Sequence, residues 1–126
     1  MDFLLDTHIL IWFLEGDQKL SINHRNAILN NPDKTYISIS SIWEIAIKKS
    51  ISKLETDFTI QETISLIEEN GFELLQINCN HCYEIATLSL LHRDPFDRML
   101  IVQAFVEDLT IITVDQHFKQ YPVKVL

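Results

Sequence analysis

The chain has 126 residues and a mass of 14.7 kDa. This length predicts one domain over residues 1–126 and excludes a multidomain machine, because single domains cluster near ~100–150 residues. Ten basic and eighteen acidic residues give a net charge of −8, which argues against nucleic-acid binding through a broad basic surface. With only two glycines, Gly16 and Gly71, the chain can contain neither a dinucleotide-binding fingerprint nor a phosphate-binding P-loop.

The composition also bears on where the protein works. A chain that is 47% hydrophobic and 22% charged has ordinary globular values, so we expect a folded core. The first residues lack the basic segment of a secretion signal, and no apolar run approaches the ~20 residues that span a bilayer. Two cysteines, Cys79 and Cys82, are too few for a secreted disulfide scaffold. We therefore expect a cytoplasmic protein with no membrane partner.

Short apolar runs alternate along the chain with longer segments of helical periodicity. The short runs predict buried strands at residues 3–5, 36–39, 72–77, 109–114 and 123–126. The periodic segments predict helices at residues 9–14, 42–51, 60–69, 83–91 and 98–106. Because alternating strands and helices imply parallel pairing through right-handed crossovers, we predict an α/β fold. Its form is a three-layer α/β/α sandwich around a central, mostly parallel sheet of about five strands.

Capping signals mark three of the predicted helix starts. Ser41 and Glu44 have the spacing of a capping box, and so do Thr59 and Glu62. Asp94 stands immediately before a proline, which is typical of an N-cap carboxylate followed by proline at the first helical position. These signals place the predicted helix starts close to several acidic residues.

Four carboxylates are predicted to meet at one edge of this sheet. Asp6 follows the first predicted strand and Asp115 follows the fourth, and ligands of parallel sheets bind beyond the carboxyl ends of the strands where the strand order reverses. If those two strands are neighbours, Asp6 and Asp115 face one crevice. Glu44 and Asp97 lie in the first turns of helices that start from the same edge, so both can point into it. Asp94 can support the site from just outside.

Four negative charges in one crevice require compensation. A pair ~4 Å apart repels by about 4 kcal/mol at an effective dielectric constant near 20, so protons or a cation must be present. Oxygen ligands, with no histidine or cysteine required, favour Mg²⁺ or Mn²⁺ over Zn²⁺. Such an ion activates water and neutralises charge on a phosphodiester, which points to hydrolysis of a nucleic-acid backbone. Each acid also has a local explanation as a helix cap or turn former, but capping alone does not explain their joint placement.

Four blocks of sequence carry a family resemblance over nearly the whole chain. They are LLDTH at residues 4–8, SIWEIAIK at 41–48, HRDPFDRML at 92–100 and TVDQHF at 113–118. On these blocks the chain resembles PIN-domain proteins, specifically the VapC-type toxins of type II toxin–antitoxin systems. The resemblance implies that Asp6, Glu44, Asp97 and Asp115 bind Mg²⁺ or Mn²⁺ and activate water for endoribonuclease cleavage. It also implies a homodimer, a cognate antitoxin that blocks the site, and an RNA substrate, which is tRNA or rRNA in part of the family.

Several side chains near the acidic blocks have candidate roles beside the metal. Basic residues that could contact substrate phosphates, or form ordinary solvated helix faces, are Arg93, Arg98, Lys48 and Lys49. Thr7 and Ser40 are candidates for hydrogen bonds to a ligating carboxylate, and equally for helix caps. The five histidines show no H-x-x-x-H spacing, so we interpret them as surface or internally satisfied side chains rather than ligands.

Other interpretations remain open. Cys79 and Cys82 have C-x-x-C spacing, which also occurs in redox and zinc sites, but no second ligand pair is evident and we interpret them as ordinary thiols. A receiver-like phosphoacceptor domain is also an acidic α/β sandwich, although it expects an aspartate just after the third strand, where Asn78 stands. A third class is a binding domain whose carboxylates hold a basic peptide. Only a nuclease among these needs Mg²⁺ or Mn²⁺ to cut RNA.

Overall fold

The computed structural model describes residues 1–126 as five strands and six helices. The strands are β1 (Phe3–Leu5), β2 (Thr35–Ser38), β3 (Glu73–Leu75), β4 (Thr110–Ile112) and β5 (Lys124–Val125). The helices are α1 (Thr7–Glu15), α2 (Ile22–Asn30), α3 (Ile39–Ser50), α4 (Ile60–Glu69), α5 (Cys79–Thr87) and α6 (Pro95–Glu107). Two short 3-10 turns lie at Pro32–Lys34 and Gln116–Gln120. None of the helices combines the length and the apolar character that a membrane crossing needs.

The five strands form one parallel sheet in the order β3-β2-β1-β4-β5. From β1 the chain moves outward through β2 to β3, then returns to the other side of β1 to add β4 and β5. Strand order therefore reverses between β1 and β4, which pair directly, with Leu5 opposite Ile112. This confirms the predicted α/β sandwich and the expectation that the first and fourth strands are neighbours.

Each face of the sheet has its own apolar core, because successive strand residues point to opposite faces. In β1, Phe3 and Leu5 pack with buried side chains from each of α1 to α4. Leu4 points the other way and packs with Leu100 and Ile101 of α6. Leu4 and Leu5 have no exposed surface, and burial of a leucine contributes roughly 1.5–3 kcal/mol to stability. Helices thus cover both faces, which leaves the carboxyl edge of the strands open for a site.

The start of α3 differs from the prediction. The predicted capping box of Ser41 and Glu44 is wrong. Helix α3 begins at Ile39, three residues before the predicted start, and its N-cap is Ser38. The Ser38 Oγ accepts the N–H of Ser40 at 3.0 Å. Serines in close succession offer competing caps, and β2 ends one residue earlier than predicted, so the helix starts at the first of them. Glu44 consequently lies in the second turn of α3, not the first.

The other two predicted capping signals, at Thr59 and Asp94, are confirmed. One helix, α2, has no counterpart in the prediction. Thr59 and Glu62 form the predicted capping box, and Asp94 caps α6 by accepting the N–H of Asp97 at 2.9 Å. Helix α2 was not predicted, because Ile28 is the only buried residue among its nine and no apolar periodicity results. Helix α5 begins at Cys79, ahead of the predicted residue 83, because Asn78 caps it.

Candidate active site

Asp6 lies at the point where strand order reverses. Its backbone N–H donates to the Ile112 carbonyl at 3.0 Å, which continues the β1–β4 ladder one step beyond β1. Asp6 is only 6% exposed, and its carboxylate accepts hydrogen bonds at 2.7 Å from the Thr7 N–H and from the Thr113 hydroxyl. Burial raises the pKa of Asp6 above its usual value, and the charge of Glu44 raises it further, against these hydrogen bonds. A cation at this position would relieve that cost.

Glu44 reaches the same edge from the second turn of α3. Its side chain is buried, with one oxygen accepting the Thr7 hydroxyl at 2.7 Å and the other paired with the Lys48 ammonium one turn along the helix. The Thr7 hydroxyl also lies 3.0 Å from the Ser41 hydroxyl. Thr7 therefore positions a predicted ligand, which was one of its two candidate roles. Ser40 instead donates to the Phe96 carbonyl at 3.3 Å.

Asp97 carries the most perturbed carboxyl group of the site. It lies in the first turn of α6, and burial raises its pKa to about 7, with the negative charges of Asp6, Asp94 and Glu44 raising it as well. A hydrogen bond from His92 opposes this rise, with His92 Nε2 2.7 Å from Asp97 Oδ2. The charges of three other acids act on one carboxyl group, so Asp6, Glu44 and Asp94 lie near enough to Asp97 to interact with it electrostatically.

Asp115 joins this group through Thr113 rather than through direct contact with another carboxylate. The Thr113 Oγ1 accepts the N–H of Asp115 at 3.0 Å and donates to Asp6. Burial opposes ionisation of Asp115, but hydrogen bonds from the backbone and ring of His117 and the charges of His117 and His92 hold its pKa below the usual value. Asp115 therefore stays ionised at the open side of the crevice.

Two histidines complete the site, and the sequence interpretation missed them. The rings of His92 and His117 stack at 4.5 Å between centroids and 12° between planes. His117 Nδ1 lies 2.8 Å from Asp115 Oδ1, so the stack connects the Asp97 and Asp115 sides of the crevice. A signal was present in the sequence, since each histidine stands two residues from an acid of the predicted group, His92 before Asp94 and His117 after Asp115.

The basic residues near the crevice have different surroundings. The hydrogen bond from Lys48 to Glu44 raises the pKa of Lys48, and the charges of Glu44, Asp94 and Asp97 raise it further. Arg93 is exposed beside the Asp94 cap. Arg98 instead donates to the backbone carbonyls of Ser89, His92 and Leu88, at 3.0, 3.3 and 3.2 Å. These bonds secure the segment before α6 and favour a structural role for Arg98 over the predicted phosphate contact.

The cysteine pair lies at the start of α5, which follows the edge strand β3. Both cysteines are free and exposed in the first turn of α5. The side chain that precedes them, Asn78, accepts the N–H of His81 at 3.1 Å. The position after β3, where a phosphoacceptor aspartate would be expected, is thus used to cap a helix.

The donor set of the crevice fits a divalent cation. Asp6 and Glu44 are buried, and burial, with the like charges around Asp97 adding to it, suppresses the ionisation of Asp97, which a bound cation would reverse. Carboxylate oxygens are the ligands that Mg²⁺ and Mn²⁺ prefer. The predicted ligands that could hold the ion are Asp6, Glu44, Asp97 and Asp115, with Asp94 fixing the backbone of Asp97.

A sequence model of the PIN domain family matches residues 3–124. The chain belongs to the PIN domain family. This match confirms the family resemblance that the four sequence blocks indicate. A comparison with curated protein sequences found no significant match.

Solved structures share this PIN fold over almost their whole length. The chain is similar to VapBC2 from Rickettsia felis bound to a promoter DNA fragment, with a TM-score of 0.70, 19% identity, and coverage of 100% of this chain and 98% of that one. For DNA-bound VapBC from Salmonella typhimurium the TM-score is 0.71, with 17% identity and coverage of 100% and 97%. For a toxin–antitoxin complex from Klebsiella pneumoniae it is 0.69, with 20% identity and coverage of 99% and 96%. At these identities the likeness establishes the fold.

Proposed function

We propose that this PIN-domain protein is a Mg²⁺- or Mn²⁺-dependent endoribonuclease that acts as the toxin of a type II toxin–antitoxin pair. One arrangement carries the proposal: at the carboxyl edge of β1 and β4, the largely buried Asp97 lies within electrostatic reach of the buried Asp6 and Glu44 and of Asp94. Membership of the PIN domain family supports a nuclease role for such a crevice.

The four acids have distinct proposed roles. Asp6 and Asp97 would hold the principal ion, and Asp115 and Glu44 would complete the site or position the attacking water. A bound divalent ion would supply activation of water and neutralisation of the charge that grows on the phosphate. Thr113 and Thr7 fix the orientations of Asp6 and Glu44 by hydrogen bonds at 2.7 Å. Since these partners are in place before substrate binds, the carboxylates need little rearrangement.

Cations at the rim would offset the overall negative charge when RNA approaches. Arg93 is exposed and Lys48 is partly exposed, with its side chain at 34%. Both lie beside the acids, so each can contact a phosphate next to the one that is cleaved. We assign phosphate contacts to Arg93 and Lys48. We exclude Arg98, because its guanidinium already donates hydrogen bonds to three backbone carbonyls in the segment before α6.

The proposed partners are a cognate antitoxin and a second copy of the chain. Among the similar structures, the one from Klebsiella pneumoniae is described as a toxin–antitoxin complex, and those from Rickettsia felis and Salmonella typhimurium are described as VapBC bound to DNA. Large apolar side chains are exposed outside the crevice, including Trp43 and Phe105, which are 55% and 58% exposed. Such side chains suit protein interfaces. The RNA substrate is proposed as tRNA or rRNA.

The test is cleavage of total RNA by purified, antitoxin-free protein, with and without Mg²⁺ or Mn²⁺, followed by mapping of fragment ends. We expect discrete cuts that require the ion. Asp6→Asn should abolish them while circular dichroism and thermal unfolding show an intact fold. Asp57→Asn, which changes an exposed carboxylate elsewhere, is the matched control and should cut normally. Undiminished cleavage by Asp6→Asn, or cleavage in chelator by wild-type protein, would contradict the proposal.

A further inference from the structure

The stacked histidines of the crevice have a chemistry that the four acids do not explain. One potential ligand atom from each of His92, Asp115 and His117 lies within 4.8 Å of the other two. The group lies at the open side of the crevice, where the side chains of His117 and Asp115 are 54% and 37% exposed. Two of its three members offer nitrogen, which is not a ligand that Mg²⁺ selects.

The His92 imidazole is oriented as a metal ligand usually is. Histidines that bind a metal almost always donate their other ring N–H to a carboxylate, a backbone carbonyl or water, which fixes the ring plane. His92 faces Asp97 through Nε2 at 2.7 Å, so Nδ1 is its nitrogen left for a cation. His117 Nδ1 lies 2.8 Å from Asp115 Oδ1, so these two ligands already lie side by side, and a cation bound by both would replace their direct contact.

We propose that His92, Asp115 and His117 form a second metal position that takes a divalent transition-metal ion with affinity for imidazole, for which Zn²⁺ is the best match. Two nitrogens, one carboxylate oxygen and a water in the fourth position make a tetrahedral set that suits Zn²⁺. Zinc–ligand bonds are about 2.0–2.2 Å, so the side chains must adjust their positions around the ion. His117 is half-exposed and can make that movement by rotating its side chain.

This position differs from the proposed catalytic site in ligands and in metal preference. Asp6 and Glu44, the two most buried acids, contribute nothing to it, and Mg²⁺ has no preference for its nitrogens. Occupation by Zn²⁺ would engage Asp115, which the catalytic site shares. The proposal concerns binding in the absence of RNA, so it can stand or fall separately from the nuclease function.

The test uses Co²⁺ as a spectroscopic substitute for Zn²⁺, titrated into the full-length, metal-free protein, with calorimetric titration of Zn²⁺ in parallel. We expect one equivalent of Co²⁺ to produce visible d–d bands typical of nitrogen and oxygen ligands. His117→Ala and, separately, His92→Ala should weaken Co²⁺ and Zn²⁺ binding by at least roughly ten-fold. The control is His24→Gln, because His24 lies outside the group and is hydrogen-bonded to the Leu126 carbonyl. This variant should bind Co²⁺ and Zn²⁺ as the wild-type protein does.

Asp6→Asn distinguishes the two metal positions. Since Asp6 is not a member of the histidine group, this variant should retain the Co²⁺ bands even though it loses RNA cleavage. Disappearance of the bands in Asp6→Asn would show that the ion merely occupies the acidic crevice and would overturn the proposal. Wild-type affinity in both histidine variants, with their folds verified by circular dichroism, would overturn it as well.

Discussion

Replacing Asp97 by asparagine is expected to stabilise the metal-free protein near neutral pH. The pKa of Asp97 is raised from 3.8 to about 7 in the folded state, chiefly by burial and then by the charges of Asp6, Asp94 and Glu44. Between these two values the folded state holds a proton that the unfolded state has lost, so the free energy of unfolding falls as pH rises from about 4 to about 7. Asparagine keeps the shape and cannot ionise, so this fall should be absent.

The size of the effect follows from the same pKa values. The difference between about 7 and 3.8 is roughly 3 pKa units, and each unit corresponds to about 1.36 kcal/mol. The Asp97 side chain is only 15% exposed, so solvent screening reduces the free-energy cost of its ionisation only slightly. Above about pH 7 this cost lowers the free energy of unfolding of the wild-type protein by at most about 4 kcal/mol. For a chain of this length, Asp97→Asn should raise the melting temperature by about 3 °C for each kcal/mol recovered.

The assay is urea or thermal unfolding in chelator from about pH 4 to about pH 8. The advantage of Asp97→Asn over wild type should be absent at the acid end, grow with pH and level off above the raised pKa. Asp57→Asn is the control for loss of an exposed negative charge and should show no such pH-dependent gain. Addition of Mg²⁺ or Mn²⁺ should then stabilise wild type and leave Asp97→Asn nearly unchanged. A stability difference that is constant over this pH range would refute the reasoning that burial and neighbouring like charges raise the pKa of Asp97.

Three other substitutions test how the crevice is supported. Thr113→Val removes the hydroxyl donor to the buried Asp6 carboxylate; we expect a loss of about 1–3 kcal/mol in unfolding experiments and roughly 10–100-fold weaker Mn²⁺ binding by calorimetry. Lys48→Gln leaves the buried Glu44 without its cation, and because Lys48 is one-third exposed we expect a loss of about 1–2 kcal/mol, below that for a fully buried pair. Asp94→Ala should lower stability by about 1 kcal/mol through loss of the α6 cap, whereas Asp94→Ser should keep it; equal losses in both variants would mean that charge, not capping, matters there.

Much of the architecture follows from local properties of the chain. Apolar runs between amphipathic segments predicted all five strands and five of the six helices, because burial on a parallel sheet demands those periods. The cap at Asp94 placed the start of α6, and with it Asp97, because a carboxylate followed by proline satisfies the first turn by itself. The sequence does not predict helix α2, because this helix buries little apolar surface. The predicted start of α3 is wrong because several nearby serines can each cap a helix.

The chemistry of the crevice depended on contacts that no local pattern contains. Residues 6 and 113 are more than one hundred positions apart, yet a hydroxyl of one orients the carboxylate of the other because β1 and β4 pair side by side. The fold likewise brings His117, which follows β4, over His92, which precedes α6. Local sequence determines which segments form helices and strands, since that depends on neighbouring residues. Which side chains share one low-dielectric crevice, and so which pKa values move, depends on strand order, which only the assembled sheet decides.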